Sequence, residues 1–266
     1  MKPGSQTLIY FSPTRTTQKV LSAISANTGI GITEQLDLTP PDTANTGIKK
    51  ITTDLAIIGA PVYGGRLPLE AVKRLKQVSG NGTPAVIVAV YGNREYEDAL
   101  LELKDIATEA DFLPVAAAAF IGEHSFSSKA MPIAHGRPDA VDLEAAGNFG
   151  DAVGKKLSSI GAVHEDDCVK VPGNFPYKER KTRKDTSPDT NAKTCTLCGN
   201  CADACPTSAI SISESVVTDK GLCIICCACV KTCPTGARVM QDPGVQKATD
   251  WLHTNYFARK EPELFI

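Results

Sequence analysis

Eight of the ten cysteines stand in two matching runs. Cys195, Cys198, Cys201 and Cys205, followed by Pro206, read C-x-x-C-x-x-C-x-x-x-C-P. Cys223, Cys226, Cys229 and Cys233, followed by Pro234, repeat the pattern 28 positions later. Thiolates at this spacing are the bacterial ligand run for a pair of iron–sulfur clusters, with the fourth cysteine of each run crossing to the other cluster. The pattern therefore assigns one [4Fe-4S] cluster to Cys195, Cys198, Cys201 and Cys233, and a second to Cys223, Cys226, Cys229 and Cys205. Three thiolates on one tight loop can surround a cube corner by corner. The fourth must come from elsewhere, and the following proline turns the chain away. Structural zinc fits less well, because it is usually held tetrahedrally by two separated C-x-x-C pairs. A disulfide framework would need an oxidising compartment, to which nothing in the sequence points. Cys227 occupies the place that Gly199 holds in the first run and is expected to be a packed free thiol. Cys168 lies far upstream and is expected to have no cluster role.

A chain of 266 residues is long for a cluster region alone, so a larger domain must precede it. A formal net charge of −2 gives no reason to expect a nucleic-acid partner. No apolar run approaches the ~20 residues that span a bilayer, and no signal peptide is visible. Reduced cysteines without an export signal predict a cytoplasmic protein, with an anaerobe as its source.

The elements that must position a second site come before residue 160. Thr7 to Phe11, Asp54 to Gly59, Pro84 to Tyr91 and Phe112 to Phe120 are near-continuous apolar strands. A weaker strand is expected near Thr33 to Leu36. Helical patterns follow, carrying Val20, Leu21 and Ile24, then Ala71, Val72 and Leu75, then Asp98 to Glu109, and finally Leu143 to Ile160. Apolar strands alternating with helices predict an α/β fold, a doubly wound parallel sheet covered on both faces. Ligands of such sheets bind outside the carboxyl ends of the strands. Three unusual loops share that edge. Ser12-Pro13-Thr14-Arg15-Thr16-Thr17 is dense in hydroxyls and opens a helix, an arrangement that can hold a phosphate, although the same residues also cap ordinary helices. The other two, Pro61-Val62-Tyr63-Gly64-Gly65 and Tyr91-Gly92-Asn93-Arg94-Glu95-Tyr96, carry tyrosine and glycine. Together they suit a cofactor with a phosphate at one end and a flat ring at the other.

Residues 7 to about 160 resemble a flavodoxin. The family's phosphate loop, T/S-x-T-G-x-T, is matched by Ser12, Thr14 and Thr17, with Arg15 where the glycine usually sits. Lys193 to about Met240 resembles a bacterial two-cluster ferredoxin. The whole resembles a family of flavodoxin–ferredoxin fusion proteins found mainly in anaerobic bacteria and archaea. The resemblance implies a five-stranded sheet of order 2-1-3-4-5, a C-terminal α+β ferredoxin-like domain, and FMN in addition to two clusters. It implies that Ser12 and Thr14 to Thr17 hold the phosphate, and that Pro61 to Gly65 with Tyr91 to Arg94 and Tyr96 hold the ring. The expected division is 1–162 for the flavin domain, 163–192 for a linker, 193–240 for the cluster domain and 241–266 for a docking helix and tail.

Between Phe120 and Asp142 lies a long polar connection at the same edge. His124 and Arg137 are its candidate catalytic residues, and loop stabilisation is the plainer role for both. The basic run Lys178 to Lys184 reads either as a solvated segment or as a contact with the flavin domain or an acidic partner. Val245 to Arg259 is expected as a helix packing Ala248, Trp251, Leu252, Asn255 and Tyr256, with the apolar tail docked. The combined reading is electron transfer between a low-potential donor, two clusters and FMN. The alternative is a flavin-dependent reductase of a small substrate, fed by the clusters. The expected partner is a redox protein, donor or acceptor, with homodimerisation left open.

Overall fold

The apolar segments become strands because both of their faces are covered. A computed structural model describes residues 3–45, 47–180 and 185–266. It carries β1 (Ser5–Tyr10), β2 (Ile32–Asp37), β3 (Leu55–Pro61), β4 (Thr83–Tyr91) and β5 (Phe112–Ile121) in one parallel sheet. Their order is β2-β1-β3-β4-β5, as expected. Leu8 and Tyr10 point to one face and Ile9 and Phe11 to the other, the period-2 alternation of a strand buried on both sides. The first face packs on α1 (Thr16–Ala26) and α4 (Ala140–Ser159) through Val20, Leu21, Ile24, Phe149 and Val153. The second packs on α2 (Leu69–Leu75) and α3 (Ala99–Glu109) through Leu75, Leu100 and Leu103. The two helices of the first face approach closely at Gly150, where an added Cβ would stand 2.1 Å from the Ile24 carbonyl oxygen. Helix α4 begins at Ala140, before the expected Leu143. Asp139 caps it, accepting from the backbone N–H groups of Val141 and Asp142 at 3.1 Å each.

The cysteine-rich part is built from very short elements. These are α5 (Asn200–Asp203), the hairpin of β6 (Ile210–Ile212) with β7 (Val216–Thr218), and α6 (Ala228–Lys231). Asp189–Thr190 also pairs with Arg238–Val239. Gly199 precedes α5 at φ 88° and Cys227 precedes α6 at φ 57°, so the cysteine adopts the left-handed backbone that the first run gives to glycine.

The tail docks, as a sixth strand. β8 (Glu263–Phe265) pairs antiparallel with Ala117 to Ala119 of β5 and covers that sheet edge. Helix α7 (Pro243–Asn255) stops short of the expected Arg259. The carbonyls of Tyr256 and Ala258 leave the helix to accept from Asn93 Nδ2 at 2.7 and 2.8 Å. Its buried stripe is Val245, Thr249 and Leu252, whereas Trp251 is 50% exposed and stands edge-on to Tyr256. The expected stripe is therefore rotated, sharing only Leu252.

The stretch expected as a linker lies on the sheet half. The Val169 N–H donates to the Pro114 carbonyl at 2.8 Å, and its side chain joins the core. Asp98 accepts from the N–H groups of Asn174 and Lys178 at 2.8 and 2.7 Å. Lys178 pairs with Glu97 and Arg180 with Glu102. The start of the basic run thus makes the contact reading rather than the solvated one; Lys181 to Lys184 lie outside the described residues.

Candidate functional site

The cross-assigned cysteines converge. Cys195, Cys198, Cys201 and Cys233 line one cavity. Cys205, Cys223, Cys226 and Cys229 line a second, with Cys227 at its wall. Each cavity draws its fourth thiol from the other run, because α5 and α6 turn each C-P segment away from its own loop. Among the described residues, no group of three or more His, Cys, Asp or Glu side chains closes on the position of a single metal ion.

No carboxylate lines either cavity, so the donor sets are purely soft sulfur, the kind that iron–sulfur clusters take. Arg238 lines both cavities, is 3% exposed, and has an Nε without a hydrogen-bond partner. A buried cation of this sort calls for a negative body beside it. The residues present therefore fit a pair of clusters. The two sets differ in average exposure: Cys198 is exposed, Cys195 and Cys233 are half-buried and Cys201 is buried, whereas Cys205, Cys226 and Cys229 are buried and Cys223 is half-buried. Burial pushes the Cys226 thiol well above its ordinary value and that of Cys227 up to about 12. A metal would have to hold Cys226 as thiolate.

The interior set lies against the carboxyl edge of the sheet. Tyr63, on the loop after β3, is half-buried; it lies within electrostatic reach of Cys226, Cys227 and Cys223 and is hydrogen-bonded with Ser125. Burial first, then those cysteines, pushes its phenol well up. Arg74, 1% exposed, donates from Nη1 to the carbonyls of Leu38, Thr39 and Pro40, and from Nη2 to that of Pro206 beside Cys205. Lys231 of α6 pairs with Glu123 at 2.6 Å and donates to the Ser127 carbonyl at 2.7 Å. These bonds hold the cysteine-rich part against the sheet half.

Of the residues expected to hold a flavin, those of the hydroxyl loop form a single anion-ready turn. Arg15 stands at φ 62° and ψ 4°, the backbone that the usual glycine would take, so the loop keeps its path and gains a cation. Helix α1 has no side-chain cap at its start, and the buried Thr17 Oγ1 has no partner. Thr14 and Thr16 keep accessible surface and their hydroxyls stand 3.4 Å apart. The Ser12 hydroxyl is already used, accepting from the Gln18 N–H at 3.2 Å. This end fits a phosphate.

The ring end fits on one side only. Pro61, Val62, Tyr63 and Gly64 retain surface, while Gly65 is buried. On the other loop Gly92 lies against the His124 ring and Arg94 pairs with Glu97 at 2.5 Å. Tyr91, Asn93 and Tyr96 depart from expectation: they are 3%, 2% and 5% exposed. The returning tail takes them up, with the Tyr96 hydroxyl bonded to Glu263 at 2.6 Å and the Asn93 amide to the chain after α7. Little of their surface is left for a ring.

The two catalytic candidates are also occupied. Arg137 is bound through Nε and Nη2 to Asp142 and through Nη1 to the Lys260 carbonyl at 2.7 Å, so it stabilises the loop. His124 Nδ1 accepts from the Phe126 N–H at 3.0 Å; burial, then Lys231 and Arg94, lowers its pKa to about 4 and keeps it neutral. Sequence reasoning missed Arg238, Arg74 and Lys231. Each is a single basic residue with no spacing partner, and nothing local marks it as buried.

The sheet order and the thiol cavities define a class, a flavodoxin-like fold joined to an iron–sulfur region. Residues 188–211 match the family described as 4Fe-4S binding domain. No curated protein matches the chain. Similar solved structures cover the first part. A flavodoxin from the domain Archaea is 13% identical over 58% of this chain and 99% of its own, with a TM-score of 0.36. A Streptococcus pneumoniae flavodoxin is 14% identical over 57% and 99%, at 0.39. An oxidoreductase from Corynebacterium diphtheriae is 13% identical over 60% and 100%, at 0.42. At such scores the fold stands on the strand order rather than on these likenesses. The order and the family match together fit a flavodoxin–ferredoxin fusion. Among the described residues no helix is long and apolar enough to cross a membrane.

Proposed function

We propose that the protein carries electrons between a low-potential donor, two [4Fe-4S] clusters and FMN. Cys195, Cys198, Cys201 and Cys233 hold the outer cluster, and Cys205, Cys223, Cys226 and Cys229 the inner one. Ser12 and Thr14 to Thr17 bind the FMN phosphate, and Pro61 to Gly64 with Gly92 line the ring. The division of the chain at 162, 192 and 240 is part of this proposal, as are a redox protein partner and an anaerobic, cytoplasmic setting.

A flavin exchanges one or two electrons and each cluster one, so the bound groups would convert paired into single electrons. The residues order the route. Cys198 presents the outer set to a partner at the surface, the inner set is the more buried, and Tyr63 of the flavin loop lies near the inner set. Tyr63 is the observation that carries the reading, since one side chain belongs to the flavin loop and also lies within electrostatic reach of the inner cysteines.

The test is an anaerobic stepwise reduction of the full chain, followed by absorbance and electron paramagnetic resonance. Flavin bleaching with two cluster signals is the expected result. Cluster signals from a chain that binds no flavin would overturn the flavin half of the proposal, and a chain that binds neither would overturn all of it.

A further inference from the structure

Arg238 belongs to neither cysteine run, yet it is the side chain shared by both thiol cavities. It is 3% exposed. Its Nη1 donates to the Thr190 hydroxyl at 2.6 Å, and its Nη2 to the Thr218 hydroxyl at 3.0 Å and towards Cys229 Sγ at 3.7 Å. The Nε has no partner, and among the described residues no carboxylate pairs with the guanidinium. The two threonines fix the orientation of the head group, one on each side.

A buried guanidinium without a counter-ion is costly unless something anionic stands beside it. Here the anionic candidates are the thiolate-bound clusters themselves, and reduction adds a further negative charge to each. Cluster potentials respond to net charge and to hydrogen bonds at the sulfurs. We propose that Arg238 is a shared potential-setting residue, a fixed cation that makes both clusters easier to reduce. The inner set, which also receives its hydrogen bond at Cys229, is affected more. This rests on the cluster assignment above.

The experiment measures both cluster potentials in the full chain by anaerobic titration with electron paramagnetic resonance, with iron and sulfide content measured alongside. Arg238→Gln is expected to load both clusters and to lower the equilibrium constant for reducing the inner one at least tenfold, about 59 mV for a one-electron couple. The outer one moves in the same direction by less. Arg238→Lys, which keeps the charge, recovers most of the shift on the outer cluster. Both potentials unchanged in a loaded Arg238→Gln protein would overturn the proposal. If that variant fails to load, Thr218→Val decides: with the hydroxyl gone, Nη2 is left to Cys229 and the inner potential rises, whereas no movement there overturns the proposal. A wild-type chain without iron and sulfide overturns the underlying assignment, whereas loaded clusters indifferent to Arg238 overturn only this inference.

Discussion

The sheet half and the cysteine-rich half are held together by different things. The sheet half has two apolar layers, one on each face, with Phe11, Phe120 and Phe149 among its fully buried side chains. The cysteine-rich half has Cys201, Cys205, Cys229, Ala209 and Ile210 as its buried cluster, and three of these are the proposed ligands themselves. Segments this short rarely fold on apolar burial alone and lean on metal instead. One half is thus a scaffold that stands on its packing, and the other depends on what its cysteines hold.

Stripping iron with a chelator should give the largest effect. Amides of Asn200–Asp203 and Ala228–Lys231 are expected to lose hydrogen-exchange protection while those of β1 and β4 keep it. Simultaneous loss in both halves would erase the contrast. Asp142→Asn attacks the other side by leaving Arg137 an unpaired buried cation. It should cost the sheet half about 4 kcal/mol in urea unfolding, with iron content unchanged.

His124 gives the sheet edge its own pH dependence. Its folded pKa of about 4 lies below the ordinary histidine value, so the folded state holds fewer protons. Its contribution is complete above about pH 6.5 and is lost as pH falls towards 4, a total of roughly 3 kcal/mol. His124→Asn should flatten that slope, which a pH series of denaturation curves would detect.

Arg74→Met tests the join, because it leaves the carbonyls of Leu38, Thr39, Pro40 and Pro206 without this donor. A destabilisation of about 2 kcal/mol is expected, seen as faster loss of the inner cluster. The smallest effect belongs to Cys227→Gly, which restores the residue that the first run carries at this turn. Unchanged iron content is expected, and its loss would make Cys227 a ligand.

The cysteine runs and the apolar strands were legible because both signals are local. Ligand spacing is written within a dozen residues, and a strand buried on both faces must be apolar nearly throughout. The strand order 2-1-3-4-5 came through resemblance and holds. The hydroxyl loop was legible as well, even with Arg15 in a glycine's backbone. Tyr91 and Tyr96 read as ring contacts because they sit on the right loop, but the returning tail, far away in sequence, encloses them. For the same reason Trp251 could not be told from Leu252 by helical spacing alone.

Local pattern alone marks which cysteines stand at ligand spacing, which segments form the sheet, and where its loops gather. Only the folded protein shows that one set of thiols is on average more buried than the other, that Tyr63 comes near the inner set, and that Arg238 is a buried cation shared by both sets. The physical reason is that burial and counter-charge are sums over neighbours from distant parts of the chain. No stretch of residues can state what the folded protein will bring to its side.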